Sequence, residues 1–176
     1  RRLMFAIFYE PSTRTRFSFC SAAAKLGMQP IWTEDAGRFS SAAKGESLED
    51  TVHTLCGYYP DVIVMRHYED NAEKVAADIS DSFYGGIPIV NAGSGKAQHP
   101  TQALLDAYTM RDKCGRVEGL EVAIVGDIRN SRVARSNILA LTRLGAHVRL
   151  AGPPPLIPPG IEDVGGPGRV TVARRA

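Results

Sequence analysis

Cysteine is scarce. Cys20, Cys56 and Cys114 are the only three in 176 residues, and they lie far apart. An odd count without C-x-x-C spacing speaks against a disulfide framework and offers no thiolate metal site. The three read as reduced thiols of a cytoplasmic protein. No apolar run approaches the ~20 residues that span a bilayer, and no signal-peptide pattern stands at the start. An excess of charge is lacking too. Lysine and arginine number 21 against 19 aspartates and glutamates, a net charge of +2. That is too small to argue for nucleic acid or an acidic membrane, so any positive field must be local. There is no internal repeat, and the absence of G-x-G-x-x-G argues against a dinucleotide site. The chain also reaches a strand-like run within two residues, an abrupt start that suggests a missing N-terminal segment.

What is present suits a globular protein with a real core: 44% of the residues are hydrophobic and 23% charged. Strand and helix patterns alternate. "LMFAIFY" (3–9) reads as a buried strand, followed by a helix over 13–26 with Phe17, Cys20, Ala24 and Leu26 near one face. "QPIWT" (29–33), "DVIVMRH" (61–67), "IPIVNAG" (87–93), "EVAIVGD" (121–127) and "HVRLAGPP" (147–154) are further strands. Helices are predicted from Leu48, over "NAEKVAADIS", from about Pro100 and over "SRVARSNILALTRLGA". On the last of these Val133, Asn137, Leu141 and Leu144 share a face. Residues 35–47 read as a loop, and 153–176, rich in proline and glycine, give little regular signal.

Strands alternating with helices imply an α/β fold: Rossmann-like domains with parallel sheets flanked by helices. We place a first domain over 1–113 and the start of a second, only partly present, over 114–176. Ligands of such sheets bind beyond the carboxyl ends of the strands. That rule selects 12–16, 66–67, 91–102 and 126–132.

The first stretch, "EPSTRTRF", packs hydroxyls and arginines where a strand hands over to a helix. A helix start offers unpaired N–H groups and the positive end of the dipole. Ser12, Thr13 and Thr15 add hydroxyls, and Arg14 adds a fork suited to phosphate oxygens. An anion site is one reading; a capping hydroxyl followed by solvated arginines is the other. Arg66, at the end of an apolar strand, is either a site residue or a terminal surface charge. His99 could polarise a carbonyl or exchange a proton, and Gln102 offers both donor and acceptor; a capping histidine in a glycine-rich turn is the alternative. Arg132 near a helix start could bind a carboxylate or phosphate, or simply face solvent with Arg135. Lys44 lies in a loop that by itself points to no site.

Together, "PSTRTRFSF", "KGESLEDT", "VIVMRH", "HPTQALLDAYTM" and "VGDIRNSRVARSN" stand in the order and spacing of the aspartate and ornithine carbamoyltransferase family, which the chain resembles over most of 3–155. The lysine of "KGES" and the "VMRH" strand end favour the aspartate branch. The resemblance implies transfer of a carbamoyl group from carbamoyl phosphate to the amine of L-aspartate. Ornithine or another acceptor, or a non-catalytic phosphate-binding module, are the alternatives. It also implies roles: Ser12, Thr13, Arg14 and Thr15 on the phosphate, Arg66 on phosphate and carbonyl, His99 and Thr15 on the carbonyl oxygen, Gln102 on the carbamoyl amino group, Arg132 and Lys44 on aspartate. Ser40 and Lys44 would enter the site of a neighbouring subunit in a homotrimer with shared active sites, with regulatory or other pathway subunits possible. No metal or organic cofactor is expected, because phosphate is already a good leaving group.

Overall fold

The apolar run at the start of the chain forms β1 (Arg2–Phe8), and its side chains alternate between two packed faces. Phe5, Ile7 and Tyr9 pack with Ile63, Met65, Val52, Cys56, Ala72 and Ala76 on one side. Met4, Ala6 and Phe8 pack with Val64, Ala92 and Ala23 on the other. A parallel strand covered on both faces has no polar side to show, hence the unbroken apolar run. The computed structural model describes residues 2–33, 35–36 and 44–173.

These residues form two compact units, Arg1–Gly95 and Lys96–Ala176. In the first, β1 is followed by α1 (Thr13–Lys25), β2 (Met28–Trp32), α2 (Leu48–Cys56), β3 (Val62–His67), α3 (Ala72–Phe83) and β4 (Ile89–Ser94). The strands are parallel in the order β2-β1-β3-β4. Helix α2 begins at a capping serine: Ser47 Oγ accepts the Asp50 N–H at 3.1 Å. Helix α1 turns differently from the sequence expectation. Phe19, Cys20 and Ala23 face the sheet, whereas Phe17 is 60% and Leu26 78% exposed. Leu26 sits on the C-cap, past the last helical turn.

The second unit holds α4 (Pro100–Cys114), β5 (Glu121–Val125), α5 (Arg132–Arg143), β6 (His147–Ala151) and β7 (Val170–Val172). Its three strands are also parallel, in the order β5-β6-β7. The core gathers Ala107, Ala134, Ile138, Leu141, Val148, Leu150 and Val170. Leu144, expected on the buried face of α5, is the C-cap and half-exposed. The tail expected to be irregular contains β7 and two short 3-10 turns, Pro154–Leu156 and Ile161–Asp163. Where β5 and β6 end, Gly126 N–H donates to the Ala151 carbonyl at 2.8 Å. A side chain at Gly152 would run into the Gly126 carbonyl oxygen, so this close approach requires glycine.

Candidate functional site

In the first unit, parallel pairing brings several strand ends to one edge. Phe8 is level with Arg66, and His67 with Ser94. Beyond β1, residues 9–11 lead to Ser12, the extended N-cap of α1. Ser12 makes no capping bond to the helix backbone; its hydroxyl donates to Thr15 Oγ1 at 2.9 Å. The first turn carries no acidic residue. A helix start without a side-chain cap or a carboxylate keeps its N–H groups and dipole available to an anion. The two arginines of the motif differ. Arg16 lies over the Trp32 ring at 4.5 Å and the Phe17 ring at 5.6 Å. Arg14 is exposed and forms no ion pair among the described residues.

Arg66 is the next-to-last residue of the mostly buried β3, and its side chain is only 12% exposed. Nη1 donates to the Ala92 carbonyl at 3.2 Å, and Nη2 lies 3.2 Å from Glu10 Oε2. The β3–β4 register shifts between Met65 and His67, at this residue. His67 is buried, with its ring 4.4 Å from Tyr9 and stacked 4.3 Å from Tyr68. Glu69 N–H donates to His67 Nδ1 at 3.0 Å, so the neutral ring carries its proton on Nε2.

Burial pushes the His67 pKa below the usual 6.5, against the opposing pull of Glu69, Glu10 and Glu73. The folded state thus resists a proton that the unfolded chain accepts. This contribution to stability is full above the unfolded value and is lost as the pH falls below about 6.5. We expect the urea midpoint to drop on acidification through that range, and His67→Gln to flatten the drop. An identical pH slope in the variant would remove His67 as its source.

The second unit places His99, buried, at the N-cap of α4. Its backbone N–H donates to Ser136 Oγ at 2.8 Å, and its Nδ1 lies 3.4 Å from Thr101 Oγ1. One turn on, Gln102 Nε2 donates to Asp106 Oδ1 at 2.9 Å. Arg132 is the first residue of α5, half-buried, behind the Ser131 cap. The preceding turn is drawn in by Asn130, whose backbone and side-chain N–H groups donate to Asp127 and hold that carboxyl below its usual pKa. Lys44 is exposed, ahead of the Ser47 cap of α2. Ser40 lies outside the described residues.

Sequence reasoning passed over three residues that touch these groups: Glu10 on Arg66, Asp106 on Gln102, and Asn137, which reaches Asp106. The i, i+4 spacing of Gln102 and Asp106 was the one available signal. Among the described residues no three His, Cys, Asp or Glu side chains are grouped to hold a metal ion. No described helix is long and apolar enough to cross a membrane.

Residues 1–112 match the family model for the aspartate/ornithine carbamoyltransferase carbamoyl-P binding domain. The chain is 52% identical over 169 residues to the aspartate carbamoyltransferase catalytic subunit of Geobacter sulfurreducens, covering 96% of this chain and 51% of that one. It is 55% identical over 134 residues to the chloroplastic aspartate carbamoyltransferase 2 of Pisum sativum, covering 76% and 33%. Among solved structures, aspartate transcarbamoylase of Trypanosoma cruzi with carbamoyl phosphate superposes with a TM-score of 0.84 at 34% identity, over 97% of this chain and 53% of that one. The same enzyme with carbamoyl phosphate and aspartate gives 0.82 at 38% identity, over 92% and 49%. The chain spans about half the length of the bacterial relatives it matches.

Proposed function

Because the chain belongs to the aspartate/ornithine carbamoyltransferase family, we propose that its protein transfers the carbamoyl group of carbamoyl phosphate to the amine of L-aspartate. The products are N-carbamoyl-L-aspartate and phosphate, an early step toward pyrimidines. The observation that carries this reading is the uncapped, acid-free first turn of α1, which shares a sheet edge with Arg66. The half-identity to aspartate carbamoyltransferases favours aspartate as acceptor over ornithine. In this reading the carbamoyl-phosphate-binding domain runs over 1–113 and the aspartate-binding domain begins at 114.

The family resemblance implies the roles, and the chemistry agrees with them. The amine lone pair of aspartate attacks the carbamoyl carbon, and negative charge grows on the carbonyl oxygen. Thr15, Arg66 and His99 donate to that oxygen, as an oxyanion hole does. The carbon–oxygen bond to phosphate then breaks, its electron pair leaves with phosphate, and the amine proton departs with it. Ser12, Thr13 and Arg14 hold the phosphate, joined by Lys44 and Arg66. Gln102 accepts from the carbamoyl amino group, and Arg132 and Lys44 pair with the carboxylates of aspartate. Holding two anions in register supplies much of the acceleration. As the family resemblance implies, Ser40 and Lys44 act in the site of a neighbouring subunit, within a homotrimer with shared active sites. The free Cys20, Cys56 and Cys114 fit a reducing compartment such as the cytoplasm.

The test is phosphate release from carbamoyl phosphate by the complete enzyme, with aspartate and ornithine in parallel. Release with aspartate alone is expected. Release with ornithine alone would keep the phosphate site and overturn the acceptor. A folded enzyme that binds carbamoyl phosphate and turns over neither would use another acceptor or be a binding module.

A further inference from the structure

Helix α4 carries Gln102 and Asp106 four residues apart, on one face, and α5 presents Asn137 to the same carboxylate. Gln102 Nε2 donates to Asp106 Oδ1 at 2.9 Å, and Asn137 Nδ2 donates to Asp106 Oδ2 at 2.7 Å. Each carboxylate oxygen thus takes one amide N–H. Asn137 is buried within the packed face of α5, and its Oδ1 has no hydrogen-bond partner among the described residues. Leaving a buried carbonyl unmatched is unfavourable. The arrangement is retained because the opposite amide orientation would set Oδ1 against a carboxylate oxygen.

A carboxylate only accepts, so it can tell the two ends of an amide apart. An isolated glutamine cannot: its NH2 and carbonyl ends exchange by a half-turn of the terminal torsion. With Asp106 holding the nitrogen end, Gln102 offers its carbonyl oxygen as the remaining acceptor. We propose that Asp106, itself fixed by Asn137, is a positioning residue that sets the Gln102 amide so that Oε1 receives the N–H of the carbamoyl group. This rests on the function proposed above. Without Asp106, half of the Gln102 orientations would point an NH2 at an NH2.

The experiment is a double-mutant cycle in the complete enzyme, with turnover of carbamoyl phosphate and aspartate as readout. Asp106→Asn keeps the shape but can meet either end of the Gln102 amide. It is expected to lower kcat/KM for carbamoyl phosphate by about tenfold to a hundredfold, as small misplacements of substrate-positioning groups do. In a Gln102→Ala background the same change should cost less than about twofold, because coupled residues are non-additive. Asn137→Ala should show a smaller loss that also disappears in that background, and it replaces Asp106→Asn should the latter not fold. Equal losses in both backgrounds would mark Asp106 as merely structural and overturn the inference. A folded wild-type enzyme without turnover would instead overturn the function, and the inference with it.

Discussion

Arg14→Ala in the complete enzyme is expected to lower kcat/KM for carbamoyl phosphate by roughly a hundredfold or more, about 3 kcal/mol of transition-state stabilisation. Arg14 stands in the first turn of α1, exposed and without an ion pair among the described residues. Its guanidinium offers two parallel N–H donors to a phosphate whose charge grows as the bond to carbon breaks. Arg16→Ala is the comparison: Arg16 lies on Trp32, so its loss should act through packing and be far smaller. Steady-state kinetics of both variants separate the two roles. Near-normal turnover of Arg14→Ala would remove it from the site. The same variant tests the trimer. Mixed with inactive Lys44→Ala chains it should regain part of the activity, since exchange assembles some sites from intact halves. Demonstrated exchange without rescue would count against shared sites.

The second large effect is on stability. Phe8→Ala should lower the unfolding free energy by about 3–5 kcal/mol, the range for deleting a buried phenyl ring. Phe8 is 1% exposed and packs among Met4, Ala6, Ala23, Val64 and Ala92, small and medium side chains with little reach to refill the space. The single tryptophan, Trp32, sits on β2 beside β1 and gives a fluorescence signal for the unit concerned. Urea titration followed at that signal should show a lower midpoint with an unchanged slope. A loss below about 1 kcal/mol would mean that the cluster closes over the gap.

Much of this was legible in the sequence. The strands of the first unit announce themselves because burial on both faces leaves continuous apolar runs, as at β1 and β3. The site motifs follow from the same rule, since polar residues directly after such runs fall at the strand ends. What escaped did so for physical reasons. Phe17 and Leu26 are apolar and yet exposed, and a residue's identity does not say which surface covers it. Strand β7 is three residues long, too short to show a period. The contact between Asp106 and Asn137 joins residues 31 apart in the chain, which no local pattern reveals.

The two cations of the first unit's edge differ in when they give up their freedom. Arg66 is tethered to Ala92 and Glu10 by the fold itself, whereas Arg14 extends from the helix into solvent. Ordering an arginine side chain removes about 2 kcal/mol of rotamer entropy. For Arg66 that loss falls on folding; for Arg14 it falls on the arrival of an anion. A neighbour that confined Arg14 in its bound rotamer would therefore tighten anion binding without adding a contact. In calorimetry the gain would show as a less unfavourable entropy, with the enthalpy unchanged.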